Sequence, residues 1–257
     1  MLKKRLVGVI TVRRGWAVQS FGYRRWLPLG RPEVLAYNLD RWGVDEILVQ
    51  VIDRSVEGVG PDLALLRRLG KMGLSTPLIY GGGIRSLADA ERVVNIAADR
   101  ICVDALLHAS PGEVERVSRH LGAQALIGAV PLSSRGGAVL WLDHRNRSES
   151  CFPPRVSELF SARVVSEALV IDWQHEGMPA SFDVTLLDLF PVPDVPLIVF
   201  GGLSEPDQLR QVLVSSRVSA TAIGNFLNYS EHAVQRYRER LVGMPLRPAA
   251  YRSLGQP

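Results

Sequence analysis

The sequence predicts a single (βα)8 barrel, the α/β fold in which eight parallel strands each precede a helix. Three observations predict it. Short apolar runs rich in β-branched residues alternate with longer stretches of helical period, there are eight such runs, and the two halves of the chain share spaced motifs. At 257 residues we expect one domain over 1–257, with an extended tail from about 243 to 257.

The individual elements follow from local signals. Strands are predicted at 5–11, 46–53, 77–81, 100–104, 125–130, 167–172, 196–200 and 220–224. Proline or serine at the start predicts helices over 32–43, 61–73, 87–97 and 112–121. Between the first strand and the first helix, the segment from Trp16 to Tyr23 predicts a two-stranded excursion. It is bracketed by four guanidinium groups that suit an anionic substrate: Arg13, Arg14, Arg24 and Arg25.

An internal duplication is indicated by motifs that recur at a constant spacing of 119 residues. Ile52-Asp53 recurs as Ile171-Asp172, and Gly58 recurs as Gly177. Pro77-Leu78-Ile79 with Gly82-Gly83 recurs as Pro196-Leu197-Ile198 with Gly201-Gly202. Because strands two and three thereby match strands six and seven, we expect two related (βα)4 halves and a pseudo-two-fold barrel.

Glycine turns after predicted strands carry the strongest local signal for chemistry. Gly81 to Ser86 stands between an apolar run and a helix, where bare amides and the helix dipole bind anions. The second half repeats this pattern, and such turns commonly hold phosphate in barrels. The expected phosphate-binding residues are Gly82, Gly83, Gly201, Gly202, Gly224 and Asn225. Two such sites imply a substrate with phosphate at both ends, although Asp104 near the first would repel one.

Composition narrows the function classes. A formal charge of +4 with scattered basic residues does not favour a nucleic-acid partner, and no apolar run is long enough for a membrane span or signal peptide. Two cysteines give neither a disulfide framework nor a metal-ligand spacing, so a reducing cytoplasm is expected. We expect no metal and no cofactor.

Several of these motifs resemble the HisF family, the cyclase subunit of imidazole glycerol phosphate synthase. The resemblance runs from Met1 to about Leu241 and is weakest over 131–163. It is carried by Met1 to Leu6, Val44-Asp45-Glu46, Gly81 to Arg85 and Gly201-Gly202. It implies a HisH-like glutaminase partner that docks below the barrel and sends ammonia through it. The family's charged gate maps onto Arg5, Glu46, Arg100 and Glu167, and its glutaminase-contacting aspartate onto Asp99. An ion-pair plug that only stabilises the barrel floor is the alternative.

The chain departs from this family where the family does its chemistry. The two family aspartates that act as general acid and base map onto Thr11 and onto Pro131, or Val130 with a one-residue slip. None of these side chains transfers a proton near neutral pH. A third family aspartate maps onto Val51, and a family lysine onto Gln19.

Replacement groups are sought at the carboxyl ends of the strands, where barrel enzymes do chemistry. Asp53 and Asp172 are the candidates, as symmetric partners after strands two and six, with His175, Glu176 and Asp104 nearby. The alternative is structural, because both aspartates could cap loops or pair with Arg54 and Arg85.

The resemblance implies three functions in order of preference. The first is a synthase subunit that uses glutaminase-derived ammonia to amidate a phosphorylated or nucleotide-linked acetamido sugar, as in the HisF-like branch of surface-polysaccharide clusters. That branch shares Gly30-x-Pro32 and Val44-Asp45-Glu46. The second is a diverged cyclase of histidine biosynthesis, and the third is a non-catalytic scaffold that binds the glutaminase.

Overall fold

The computed structural model describes residues 3–229 and 232–250. Eight parallel strands close into a barrel, because β1 pairs with both β4 and β12 and β10 pairs with both β7 and β11. These strands are β1 (Arg5–Arg13), β4 (Glu46–Val51), β5 (Leu78–Gly81), β6 (Arg100–Val103), β7 (Leu126–Arg135), β10 (Glu167–Asp172), β11 (Leu197–Phe200) and β12 (Val218–Ile223). The predicted fold class is therefore confirmed.

The helices pack outside the barrel. They are α1 (Pro32–Trp42), α2 (Leu63–Gly70), α3 (Leu87–Ile96), α4 (Ala105–Ala109), α5 (Pro111–Leu121), α6 (Pro154–Ser161), α7 (Thr185–Leu189), α8 (Pro206–Val214) and α9 (Ala233–Arg240). Short 3-10 helices lie at Ala123–Ala125 and Asn225–Asn228. The predicted helix over 61–73 is shorter because Asp62, not Pro61, caps it by accepting a hydrogen bond from the Leu65 amide.

Two antiparallel hairpins are added to the carboxyl end of the barrel. The first pairs β2 (Trp16–Phe21) with β3 (Arg25–Gly30). A two-stranded excursion was predicted here over Trp16 to Tyr23, and its second strand lies beyond those bounds. The second, β8 (Ala138–Asp143) with β9 (Ser148–Cys151), was not predicted; it extends β7, which runs to Arg135 rather than ending at residue 130. In the predicted tail, residues 247–250 have no regular structure and Leu246 forms a bridge to Lys4, while 251–257 lie outside the described residues.

Strand alternation sorts side chains between two apolar clusters. Residues that face outward pack against the helices and form the larger core. Residues that face inward fill the barrel in a separate cluster, among them Val7, Leu48, Ile127, Leu169 and Ala220. Charged side chains lie below this inner cluster, and an open cavity lies above it. The barrel therefore has a charged floor, an apolar middle and, at its mouth, a cavity lined by both apolar and charged residues.

Candidate active site at the barrel mouth

A cavity of about 220 Å³ opens at the carboxyl ends of β4, β5, β6 and β7. Its walls include the first glycine turn, the residues that follow β4 and β6, and parts of both hairpins. This is the end of the barrel at which the eight strand-to-helix loops converge. The cavity thus lies where the sequence places the chemistry.

The first glycine turn borders this cavity as expected. Gly82 has φ = 134° and Gly83 has φ = 70°, and the Gly83 amide donates to Ser55 Oγ at 3.3 Å. A Cβ on Gly82 would lie 2.4 Å from the Val51 carbonyl oxygen, so only glycine fits. Arg13, stacked at 4.2 Å on the Trp26 ring, also lines the cavity and supplies positive charge for an anion.

Gly82→Ala tests how tightly this turn is constrained. We expect a loss of about 2 kcal/mol or more in the free energy of unfolding, because the methyl group meets backbone that cannot easily shift. Gly58→Ala is the matched control, since φ is 66° there but nothing lies within 4 Å, and it should cost only about 1 kcal/mol. Urea unfolding of both variants measures the difference. Equal losses would contradict the steric argument.

Asp53 and Asp104 face the same cavity from the ends of β4 and β6. Asp53 Oδ2 accepts a hydrogen bond from the Arg14 amide at 2.7 Å. Asp104 Oδ2 lies 2.8 Å from Nδ1 of His144, which approaches from the second hairpin. The Oδ1 atom of each aspartate is buried without a hydrogen-bond partner among the described residues. Each aspartate therefore keeps one oxygen whose hydrogen-bonding capacity is unused and which is shielded from solvent in this structure.

Asp172 has a different environment from Asp53 and does not line the cavity. It is 1% exposed, and its carboxylate accepts hydrogen bonds from the amides of His175 and Asp183 and contacts the His175 ring at 2.7 Å. Burial raises the pKa of Asp172, and these hydrogen bonds oppose that shift. Asp172 therefore organises the loop after β10, which is the alternative that the sequence left open.

The arginines named as possible partners of these aspartates bind elsewhere. Arg54 lies 3.6 Å from Asp62, and Arg85 donates to the Gly58 carbonyl at 2.7 Å. The structural role of Asp172 thus comes from backbone amides and one histidine, not from an ion pair with arginine.

The predicted symmetry between Asp53 and Asp172 is wrong, and strand register gives the reason. Gln50 pairs with Gly81 in the first half, and Ile171 pairs with Phe200 in the second. The Cβ test agrees, because Gly82 abuts the Val51 carbonyl whereas Gly201 abuts the Asp172 carbonyl. Asp172 is therefore the counterpart of Val51. The 119-residue spacing holds between β5 and β11 but is two residues longer between β4 and β10.

This difference predicts unequal effects of the same substitution. Asp172→Asn should lower the free energy of unfolding by about 1–3 kcal/mol, because a buried acceptor of several hydrogen bonds is altered. Asp53→Asn removes charge from a more exposed group with one protein partner and should cost less than about 1 kcal/mol. Thermal and urea unfolding measure both. A larger loss for Asp53→Asn would contradict this assignment.

The second predicted phosphate site is closed in this structure. Gly201, Gly202, Gly224 and Asn225 surround a space of only about 10 Å³, which is no larger than a single water requires. Asn225 is 6% exposed, and its amide group exchanges two hydrogen bonds with the backbone of Ser20. The four residues lie together around this small space, and the side chain of Asn225 is bonded to the first hairpin.

Glu176 fastens the tip of the first hairpin to the second half of the barrel. Its backbone carbonyl accepts from the Gly22 amide at 2.8 Å, and its carboxylate accepts from Ser20 Oγ at 2.9 Å and the Tyr23 amide at 3.2 Å. Burial raises the pKa of Glu176 to about 7, although these hydrogen bonds act in the other direction. The hairpin thereby places Tyr23 over the barrel mouth, where the Tyr23 hydroxyl donates a hydrogen bond to Gln50.

At the opposite end of the barrel, four charged side chains form a closed ring, the charged floor. Arg5 contacts Glu46 at 3.0 Å and also binds Glu167, while Arg100 contacts Glu167 at 2.7 Å and Glu46 at 3.5 Å. Each residue is the first of its strand, so alternation points all four inward at the same level. The structure thus brings together the four residues that the sequence nominated.

The charged floor is buried and internally compensated. Burial by itself raises the pKa of Glu167, but Arg5, Arg100 and a hydrogen bond from Ser219 outweigh it and hold the pKa below its ordinary value. Two arginines facing two glutamates meet the requirement that buried charges be paired. Asp99 lies beside this end, exposed, with its carboxylate accepting from the Leu78 amide at 2.8 Å.

Thr11, Pro131, Val51 and Gln19 are the residues onto which the resemblance maps the family's functional aspartates and lysine. Thr11 lies near the end of β1 and is 5% exposed, while Pro131 lines the cavity opposite Ile171. Val51 is buried at the end of β4, and Gln19 lies on the first hairpin opposite Leu27. Sequence reasoning missed His144. Gly136-Gly137 signals a hairpin turn after β7, but nothing in the sequence shows that the turn after β8 reaches the barrel mouth.

Comparison with known proteins agrees with this architecture. A family model described as histidine biosynthesis protein matches residues 5–233. The imidazole glycerol phosphate synthase subunit HisF of Solibacter usitatus is 27% identical over 97% of this chain and 100% of its own length. The corresponding subunit of Bacteroides fragilis is 24% identical over 95% of this chain and 98% of its own length. A Vibrio vulnificus protein provisionally named subunit hisF2 of that synthase is 26% identical over 91% of this chain and 86% of its own length.

No helix among residues 3–229 and 232–250 is both long and apolar enough to span a bilayer.

The family match covers most of the chain and nearly all of the barrel, and the relatives align from end to end. The closed eight-stranded barrel, the glycine turn at its mouth and the charged floor at its base occupy the matched region. The chain therefore belongs to the histidine biosynthesis protein family and is a HisF-like member of it.

Proposed function

We propose that this chain is the synthase subunit of a two-component glutamine amidotransferase. It receives ammonia from a HisH-like glutaminase at the charged floor and adds it to an anionic acceptor at the barrel mouth. The observation that carries the proposal is the closed ring of Arg5, Glu46, Arg100 and Glu167 beneath an apolar interior. Such an interior favours neutral ammonia over ammonium, because a lone charge there is strongly disfavoured. Asp99, exposed beside the floor, is the proposed contact with the glutaminase.

The acceptor differs from that of the ordinary cyclase on this proposal. Cyclisation in the family needs a general acid and a general base, and Thr11 and Pro131 supply neither. On this proposal, Gly82, Gly83 and Arg13 form the anion site of the cavity. With the second glycine site closed, a substrate carrying one phosphate or diphosphate end suits the cavity better than a two-ended bisphosphate.

An acetamido sugar is the acceptor that we propose, held through a phosphate or a linked nucleotide. Aromatic surfaces of Trp26 and Tyr23 line the cavity beside the anion site, which suits a sugar ring next to a phosphate. The product would serve surface-polysaccharide biosynthesis. Asp53, with one unpartnered buried oxygen, is the proposed group that orients the acceptor.

A diverged cyclase of histidine biosynthesis is the second candidate. It is favoured by the relatives, which are named as imidazole glycerol phosphate synthase subunits and align over nearly the whole chain. Complementation of a strain that lacks this cyclase discriminates the two functions. Growth without histidine would overturn the proposal, and no growth is the result that we expect.

The decisive experiment isolates the chain with its glutaminase and supplies glutamine labelled with ¹⁵N in the side-chain amide. We expect a stable complex, faster glutamine hydrolysis, and a new ¹⁵N-labelled phosphorylated compound when a small-molecule extract of the native host is added. Faster hydrolysis without any labelled compound would indicate the scaffold function instead. No complex and unchanged hydrolysis would overturn the proposal altogether.

A further inference from the structure

The second hairpin places an imidazole against a carboxylate inside the cavity. The turn between β8 and β9 sets His144 above the end of β6, with Nδ1 at 2.8 Å from Oδ2 of Asp104. Both residues line the cavity, and each side chain is 25% exposed. The pair therefore combines contact with the cavity and a largely water-excluded surrounding, two properties that proton-transfer groups share.

The turn holds His144 in a defined orientation. Asp143 accepts hydrogen bonds from the Arg145 amide at 3.0 Å and from Asn146 Nδ2 at 2.7 Å, which closes the turn on both sides of the histidine. Because Nδ1 faces the Asp104 carboxylate, that nitrogen carries the proton and Nε2 carries the free lone pair. The side chain is thus set up as a base whose conjugate acid Asp104 stabilises.

We propose that His144, positioned by Asp104, is the proton-transferring group of this cavity. The proposal rests on the function proposed above. Ammonia forms a nitrogen–carbon bond with the acceptor's carbonyl carbon, and the electron pair of the C=O π bond moves to oxygen. Nε2 takes one proton from that nitrogen and delivers it to that oxygen, which gives a hydroxyl group on the adduct. It then moves a second proton from the same nitrogen to this hydroxyl, the carbon–oxygen bond breaks, water leaves, and a carbon–nitrogen double bond forms, so His144 ends the reaction unchanged.

The surrounding charges suit this assignment. Asp104 raises the pKa of His144 above its ordinary 6.5, burial opposes this shift, and Asp143 adds to it while Arg145 opposes it. His108 on α4 is a further titratable group in this neighbourhood, and burial lowers its pKa, so it adds little positive charge near neutral pH. Arg147, Asp53 and Glu57 line the same cavity. Transfer that requires neutral His144 should therefore increase as pH rises through this raised pKa.

A second imidazole–carboxylate pair in the chain provides a matched control. His175 Nδ1 lies 2.7 Å from Asp172 Oδ2, nearly the same separation as in the first pair. Neither residue lines the cavity. A histidine substitution there removes an equivalent contact without touching the acceptor.

The test measures ¹⁵N-labelled product and glutamine hydrolysis for the wild-type complex and for His144→Asn, His144→Gln, Asp104→Asn and His175→Asn. We expect both His144 variants to lose product formation about 100-fold or more while hydrolysis stays intact, and His175→Asn to stay within about threefold. Asp104→Asn should shift the pH midpoint of product formation downward, which a purely structural role would not do. NMR titration of the His144 ring follows the same shift in the absence of acceptor.

The outcomes separate this assignment from the function on which it rests. A wild-type complex that makes no labelled product overturns the proposed function, and the catalytic assignment falls with it. A wild-type complex that is active, with His144 variants that keep its rate and pH profile, overturns the assignment alone. An unshifted His144 titration in Asp104→Asn overturns the role given to Asp104.

Discussion

Glu167→Ala is expected to lower the free energy of unfolding by about 3–5 kcal/mol, the range for removing one partner of a buried charge network. The variant leaves Arg5 and Arg100 to share Glu46 in a region where water cannot replace the lost carboxylate. Ser219 also loses its 2.6 Å acceptor. Urea unfolding monitored by tryptophan fluorescence measures the change.

Glu158→Ala is the control for this prediction. Glu158 pairs with Arg155 at 3.0 Å on the exposed face of α6, and such pairs contribute less than about 1 kcal/mol. The double variant Arg100→Leu with Glu167→Leu should lose less stability than Glu167→Ala, since it removes one charge of each sign. If Glu158→Ala and Glu167→Ala cost the same, the charged floor does not behave as a buried network.

The double variant of the charged floor also tests the proposed function, through the ratio of labelled product to glutamine hydrolysis. On the proposed function, the double variant opens the ring while it keeps the net charge of the floor unchanged. We expect glutamine hydrolysis to continue and labelled product to fall relative to hydrolysis, because ammonia escapes before it reaches the mouth. If the ratio of product to hydrolysis is unchanged, the ring stabilises the barrel but does not control ammonia.

Stability should fall as pH rises through the titration range of Glu176, and this is the second large effect that we predict. Burial raises the pKa of Glu176 from its ordinary 4.5 to about 7. Below about pH 4.5 the group is protonated in both the folded and the unfolded chain, so it has no effect. Between pH 4.5 and about 7, Glu176 loses its proton in the unfolded chain but keeps it in the folded chain. The free energy of unfolding therefore falls by about 3 kcal/mol by pH 8.

Glu176→Gln isolates this contribution. Glutamine keeps an acceptor for Ser20 and the Tyr23 amide but carries no charge, so the variant should be more stable than the wild type at pH 8 and similar to it at pH 4.5. Glu115→Gln, on the exposed face of α5, should leave the pH dependence as it is in the wild type. If the difference between Glu176→Gln and the wild type is the same at both pH values, the raised pKa is contradicted.

Much of the fold could be predicted because its signals are local. Alternating apolar runs predicted all eight barrel strands, and starting prolines and serines predicted four helices, with errors mainly at their ends. The second hairpin was missed, although Gly136-Gly137 marks the turn between β7 and β8. Its strand β8 is apolar and pairs with β7 and β9, whereas β9 (Ser148–Cys151) is polar, and there pairing and not residue preference decides the structure.

In the candidate site, too, the features with a local sequence signal could be predicted and the others could not. The glycine turn at Gly82 and Gly83 was visible, because a residue type with unusual backbone freedom stands directly after a strand. The roles of Asp53, Asp172 and Asn225 were not visible. The strand register makes Val51, and not Asp53, the counterpart of Asp172. The side chain of Asn225 is hydrogen-bonded to the backbone of the first hairpin.

By itself the sequence determined the closed barrel, the charged residues at the first position of four strands, and the glycine turn at the mouth. Each depends on the order of residues along one element, which strand alternation converts into direction. Tertiary structure alone decided that His144 meets Asp104, that Glu176 fastens the first hairpin, and that one glycine site is open while the other is closed. These features join residues far apart in the chain, and loop packing, which local preference does not encode, sets their distances.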